Sequence, residues 1–316
     1  LGAAGGFSGA EFWRLSAPRG QLCLRRWPRE HPTPEGLVRI HAVLAQVSDR
    51  GFRLIARPLP TRAGHTFVEH GGHLWELTPW LPGRADYHAR PSAARLDAAM
   101  QALATFHVAA ATVPGGESRA PSPSISRRLA RLRGITGRGL NDLRGSTARN
   151  AGRWPDLAAR ADALFGFVAE VARSVEQKLA DSASIVVPLQ PCIRDIWHDH
   201  VLFEGDAVAG LIDFGALQTD SVATDVARLL GSLVGDDPAG WQAGLAAYGD
   251  IRPLTADERR LVAVLDESSV LMSGLSWFEW VFREARQFDS RATIIARVDE
   301  NLRRLAHLAG KHVRLT

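Results

Sequence analysis

Lysine is nearly missing from this 316-residue chain: Lys178 and Lys311 are the only two among 38 basic side chains, so the positive charge is almost all arginine. Any site in the first half that needs a fixed cation must therefore take it from arginine, with its larger, planar, forked head. Cysteine is equally scarce. Cys23 and Cys192 provide neither a disulfide framework nor a thiolate metal cluster, and a reducing, cytoplasmic setting is the expectation. No apolar run approaches the roughly 20 residues that span a bilayer. The Gly/Ala-rich start has no basic stretch ahead of a long apolar one, so neither a membrane span nor a signal peptide is expected. What remains is an ordinary globular composition, 46% hydrophobic and 23% charged, in a chain long enough for two lobes and a sizeable core. The formal net charge of +4 suits anionic partners without selecting among them.

Residues 2–9 are mostly glycine and alanine. Strand-like runs follow at Glu11–Leu15 and Gln21–Trp27, and Ala17-Pro18-Arg19-Gly20 between them has hairpin-turn chemistry. Leu37, Ile40, Val43, Leu44 and Val47 recur at helical spacing after Pro32 and Pro34, and Gly51 is a stop signal. Two more strands are expected at Thr66–His70 and His73–Thr78, turned by Gly71-Gly72. With a strand stub before the glycines, residues 1–80 read as a small mixed α/β lobe. Pro79, Pro82 and Gly83 break the chain, and residues 81–316 read as mainly helical, starting from Ser92 as an N-cap. Ten arginines and two acids lie between Arg119 and Arg160. No aromatic ladder interleaves them, so a solvated, loosely packed insertion is expected there, not a nucleic-acid site. A helix is expected over about Pro155–Leu179, and Ile294, Ile295, Val298, Leu302 and Leu305 give the last helix an apolar face.

Chemistry concentrates in Ile193-Arg194-Asp195-Ile196-Trp197-His198-Asp199-His200 and Leu211-Ile212-Asp213-Phe214-Gly215. Short strands Val201–Phe203 and Val208–Ile212, turned by Glu204-Gly205-Asp206, can pair and bring Asp195, His200 and Asp213 to one cleft. In phosphoryl transfer a protein mainly positions groups and neutralises charge. One carboxylate orients the accepting hydroxyl, and another holds a metal ion on the phosphates. Asp195 suits the first role and Asp213 the second, with His200 at a second metal position. An Asp-Phe-Gly alone could merely end a strand; paired with Arg194-Asp195 across a hairpin it is far more specific. Gly5, Gly6, Phe7 and Ser8 form a loop whose backbone N–H groups and Ser8 hydroxyl could cradle phosphates, or simply a tail. Arg25, on Leu22-Cys23-Leu24-Arg25, is the candidate phosphate cation. His41 stands on the next helix where an acid partner for that cation is expected. A charged His41 would repel Arg25, so it should be neutral or turned away.

These residues resemble the aminoglycoside phosphotransferase-like branch of the protein-kinase-like fold over most of the chain. The resemblance rests on Gly5-Gly6-Phe7-Ser8, Leu24-Arg25, Leu74 through Gly83, Arg194-Asp195 through Phe203, Leu211 through Gly215, and Asp225 through Leu230. It implies an α+β, bilobal protein-kinase-like fold and phosphorylation of a small-molecule hydroxyl using ATP or GTP with Mg²⁺ or Mn²⁺. It also implies that hinge backbone at Glu76, Leu77 and Thr78 grips adenine, and that Asp225 braces the catalytic loop. The family's His-Gly-Asp reads Ile193-Arg194-Asp195 here, its metal-binding Asn reads His200, and its lysine reads Arg25. Imidazole is a poor Mg²⁺ ligand, so His200 would favour Mn²⁺, act through water, or leave the metal to Asp213.

Two other readings stay open: a nucleotide-binding pseudokinase acting as a regulatory module, and a metal-dependent hydrolase using His198, His200 and Asp213. The hydrolase needs His198 and His200, at i and i+2 in an extended segment, to face the same way. Trp277, Glu279 and Trp280, with Asp266 and Glu267 upstream, suit a cationic or sugar-like acceptor, though a helix-packing core for the two tryptophans is the favoured reading. No specific nucleic acid and no membrane are expected as partners.

Overall fold

A computed structural model describes residues 9–18, 20–113, 118–288 and 290–310. The Gly5–Ser8 loop and the strand stub before it lie outside the described residues. In chain order the elements are β1 (Glu11–Ala17), β2 (Gly20–Arg26), α1 (Pro34–Asp49), β3 (Val68–His70), β4 (His73–Pro79), α2 (Ala93–Ala111), β5 (Ser118–Pro121), α3 (Pro123–Gly134), α4 (Leu140–Asn150), α5 (Pro155–Ala158) and α6 (Ala161–Ser182). Then come β6 (Val186–Cys192), β7 (Val201–Glu204), β8 (Ala207–Leu211), β9 (Gln218–Asp220), α7 (Ala223–Val234), α8 (Pro238–Gly249), α9 (Ala256–Phe278) and α10 (Arg291–Leu308). The chain divides into two compact units, residues 1–119 with 188–254, and residues 120–187 with 255–316.

In the first unit an antiparallel sheet runs in the order β1-β2-β4-β3. The β3–β4 turn needs positive φ at both central residues, and Gly71 and Gly72 supply +59° and +75°. Helix α1 begins at Pro34, which fits a first helical position, and the Thr33 hydroxyl accepts the Gly36 N–H at 3.1 Å. Its buried Leu37, Ile40, Leu44 and Val47 are the apolar face read from the spacing. Strand β3 is shorter than expected because Thr66 leaves the ladder and bonds His41 Nδ1 through its hydroxyl, at 2.7 Å. Past β4, Gly83 lies against β7: a Cβ there would sit 2.8 Å from the Phe203 carbonyl. Arg84 and Phe203 exchange two backbone hydrogen bonds, of 3.0 and 2.9 Å, fastening the segment after the sheet to β7. Ser92 caps α2 as expected, accepting from the Arg95 N–H at 3.1 Å.

The second unit is helical. Its arginine-rich part is not a loose insertion, and here the sequence expectation is corrected. Ile125, Leu129, Leu132 and Leu143 are buried, and the arginines of α3 tie it to its neighbours. Arg128 bonds the Leu265 carbonyl and the Ser268 hydroxyl, Arg131 pairs with Glu279 at 2.7 Å, and Arg133 pairs with Glu176 at 3.3 Å. Long arginine stems cover apolar surface while their heads reach acids on other helices, which sequence distance conceals. The single helix expected over Pro155–Leu179 breaks between α5 and α6, where the Arg160 guanidinium takes the Asp156 carbonyl at 2.7 Å and its own N–H turns to Leu157. Residues Ala256–Arg283 are long and apolar enough to cross a membrane by length and composition, but 67% of their most apolar stretch is buried inside the protein. They form a core helix here: Asn301 of α10 bonds the Val270 carbonyl of α9 at 2.8 Å.

Candidate active site

The β7–β8 hairpin sets the geometry. Val201 pairs with Leu211, both fully buried, and Gly205 turns the chain at φ +61°. The Ile212 N–H donates to the His200 carbonyl at 3.0 Å, so the residues before and after the hairpin are held side by side. Asp213 then takes a left-handed backbone conformation, φ +63°, one that Asp tolerates better than most side chains. Arg25 Nη2 donates to its Oδ1 at 3.1 Å, and the Gly215 N–H also bonds the carboxylate. A Cβ on Gly215 would meet the Trp27 ring at 3.0 Å, so the last residue of Asp-Phe-Gly has no room for a side chain.

Arg25 comes from β2 and is 7% exposed. Its guanidinium lies 3.3 Å from the Trp27 ring centroid and 5.0 Å from that of Phe12. Its Nε is buried without a hydrogen-bond partner, a cost that a bound acceptor atom would relieve. Burial pushes the Asp213 carboxyl up, but the charge and hydrogen bond of Arg25, with smaller help from the Gly215 N–H, hold it below the ordinary aspartate range.

His41 faces Glu76. Its Nε2 lies 2.7 Å from Glu76 Oε2, with both side chains buried. The register Cys23↔Thr78 and Arg25↔Glu76 puts those four residues on one face of the sheet, with Leu24 and Leu77 on the other. The Leu77 carbonyl accepts the Leu59 N–H at 2.7 Å, and the Glu76 carboxylate is spent on His41.

Arg194 sits at φ +68°, where the family it resembles has glycine. A buried carboxylate fixes this strained loop: Asp225 accepts the Ile193 N–H at 2.7 Å and the Arg194 N–H at 2.6 Å. His107 Nε2 lies 3.0 Å from the same carboxylate, and Tyr248 Oη lies 2.7 Å from His107 Nδ1. All three side chains are fully buried. Nothing in the spacing links His107 on α2 and Tyr248 on α8 to the loop. A histidine in the apolar stretch Leu103–Ala110 was the one visible signal.

Asp195 is exposed and accepts a hydrogen bond from Arg228 Nη2 at 3.1 Å. His200 lies between the two aspartates. Its Nδ1 is 2.8 Å from the Asp195 carbonyl oxygen, and its Nε2 is 2.8 Å from Trp197 Nε1 and 3.7 Å from Asp213 Oδ2. An indole N–H only donates, so Nε2 must carry the lone pair and Nδ1 the proton. The ring is thereby fixed as one neutral tautomer whose lone pair faces Trp197.

Residues 198–200 form one 3₁₀ turn, not the extended segment the sequence suggested, because the His200 N–H closes on the Trp197 carbonyl at 2.8 Å. The His198 ring packs on His88, at 4.2 Å between centroids, and His200 meets Asp213. In the second unit Trp277 and Trp280 stack edge to face at 5.0 Å, and the nearby acids have internal cations: Glu279 with Arg131, Asp266 with Arg304, Glu267 with Lys178.

The chain is 32% identical to a homoserine kinase of Gluconacetobacter diazotrophicus over 209 residues, 61% of this chain and 64% of that protein, just under two thirds of its length. A homoserine kinase of Gluconobacter oxydans is 27% identical over 304 residues, 88% of this chain and 93% of that protein. Among solved structures, a spectinomycin phosphotransferase in complex with ADP and spectinomycin superposes with a TM-score of 0.66 at 12% identity, covering 98% of this chain and 92% of that one, a likeness of α+β kinase-like fold. The model of the phosphotransferase enzyme family matches residues 2–262, from the sheet through the β7–β8 hairpin and α7, and the chain belongs to that family.

Proposed function

We propose that this protein transfers the terminal phosphoryl group of ATP or GTP to a hydroxyl of a small molecule, with a divalent metal. One observation carries the reading: a mostly buried carboxylate, Asp213, is kept ionised by a buried arginine with an unsatisfied Nε, beside the loop that holds Asp195. Asp195 orients the accepting hydroxyl and takes its proton. Asp213 fits as the principal metal ligand, being a hard oxygen donor. A divalent metal held by Asp213 would supply positive charge to offset that of the phosphates. His200 does not fit as a direct ligand while Trp197 caps its Nε2, so it joins as a second ligand only when that indole turns away. Arg25, with Gly5, Gly6, Phe7 and Ser8, holds phosphates, and Glu76, Leu77 and Thr78 border the adenine. Residues 1–80 act as the nucleotide lobe and 81–316 as the catalytic and acceptor lobe. The two free cysteines suit a reducing, cytoplasmic setting.

The strained Arg194 and the capped His200 favour one second reading, a pseudokinase that binds nucleotide without turnover. A thermal-shift titration with ATP and GTP, each without metal and with Mg²⁺ or Mn²⁺, separates the readings. The kinase requires stabilisation that needs nucleotide and metal together, followed by turnover lost in Asp195→Asn. Binding indifferent to metal supports the pseudokinase, and strong stabilisation by metal alone supports a hydrolase on His198, His200 and Asp213.

A further inference from the structure

Helix α7 meets the catalytic segment along one face. Asp225, Arg228 and Ser232 recur at i, i+3 and i+7, so they lie in one row. Asp225 holds the Ile193 and Arg194 N–H groups, and the Ser232 hydroxyl accepts the His198 N–H at 2.9 Å. Between those two anchors, Arg228 reaches Asp195 at 3.1 Å. The guanidinium is thus fixed beside whatever Asp195 touches. The site is open: the Arg228 side chain is 33% exposed and that of Asp195 55%. Among the described residues Asp195 is the one partner of Arg228, which leaves its Nε and Nη1 donors uncommitted.

An acceptor hydroxyl has to approach both Asp195 and a polyphosphate, which are anionic. An acceptor with a carboxylate near that hydroxyl would be repelled from such a site without a local cation. Arg228 supplies one, with its Nε and Nη1 donors left over for a carboxylate oxygen. The acids around Trp277 offer a cationic acceptor little, since Glu279, Asp266 and Glu267 already have internal partners. We propose that Arg228 is the acceptor-recognition residue and that the acceptor is a small hydroxy acid whose carboxylate it binds. This rests on the kinase reading above.

The test compares two amino acids, L-homoserine and L-serine, with the amino alcohols that lack only the carboxylate, 3-aminopropan-1-ol and 2-aminoethanol. ADP release is followed with ATP and Mg²⁺ or Mn²⁺. The hydroxy acids should be used with kcat/KM about 10- to 100-fold higher, the range of a hydrogen-bonded charge contact. Arg228→Gln should erase that gap mainly by raising KM for the acids, and Arg228→Lys should restore part of it. Equal use of acids and alcohols overturns the proposal. So does an Arg228→Gln variant that lowers kcat alike for both, which would put Arg228 to work on Asp195 or on the phosphoryl group. Where no acceptor turns over, the same four compounds are titrated against protein saturated with a non-hydrolysable ATP analogue and Mg²⁺. The acids must then stabilise wild type and not Arg228→Gln, and no difference overturns the proposal. Loss of stabilisation by the nucleotide itself would instead sink the kinase reading.

Discussion

The arginine-rich helices of the second unit and the cleft around Asp213 both rest on arginine–carboxylate pairs, and they use them in opposite ways. On α3 the side chain of Arg133 is 60% exposed and that of Arg131 40%, each facing an acid of its own. In the cleft Arg25 is 9% exposed at its side chain, packed on two aromatic rings, with one donor unsatisfied. Exposed pairs are screened and each contributes little. A buried pair left incomplete keeps its field, and perturbed groups of this kind cluster at functional sites. The density of arginine is therefore a poor guide to the site, and burial guides only beside the Asp-Phe-Gly motif, since Arg95, paired with Asp86, is also buried with an unpartnered Nε.

That contrast can be broken by mutation. The largest effect is expected at the carboxylates: Asp213→Asn or Asp195→Asn should lower turnover by about 10²–10⁴-fold with the fold intact by circular dichroism. Asp225→Ala comes next, in stability. It strands two buried N–H groups and His107, and should cost about 3–5 kcal/mol by denaturant unfolding.

The Arg25–Asp213 pair also carries a pH signature. The Asp213 carboxyl is held below its ordinary 3.8, so the pair's contribution is present above that value and fades as pH falls through the lowered folded-state value. In Arg25→Met, burial loses its main opponent and the carboxyl should move upward, which a carboxyl NMR titration reads directly. An unmoved titration would mean that Arg25 does not set the charge of Asp213.

Two smaller tests sharpen the comparison. Arg194→Ala should be less stable than Arg194→Gly by about 1 kcal/mol, because both lose the side chain but only alanine keeps the strain of positive φ. Arg133→Gln, which removes an exposed pair of the second unit, should change stability by no more than about 0.5 kcal/mol.

Legibility followed the range of the interaction. Gly71-Gly72, the Ser92 cap, the apolar face of α1 and the β7–β8 hairpin are local, set by φ preference and spacing within a few residues, and they could be read in order along the chain. The Pro155–Leu179 helix was misread where a side chain, Arg160, competes for a backbone carbonyl. The turn at 198–200 was misread as extended because a 3₁₀ closure leaves no periodicity in three residues.

By itself, the sequence determined the family, the kinase-like order of elements and the candidate carboxylates Asp195 and Asp213, because motif residues at fixed spacing need only local geometry to be recognised. Tertiary structure alone decided the partners. Arg25 meets Asp213 across 188 residues, His41 bonds Glu76, and Trp197 fixes the His200 tautomer. Arg228 stands beside Asp195 because α7 packs one face on the loop. Such pairings depend on which surfaces are desolvated together, and burial is a property of the folded chain that no short stretch of sequence carries.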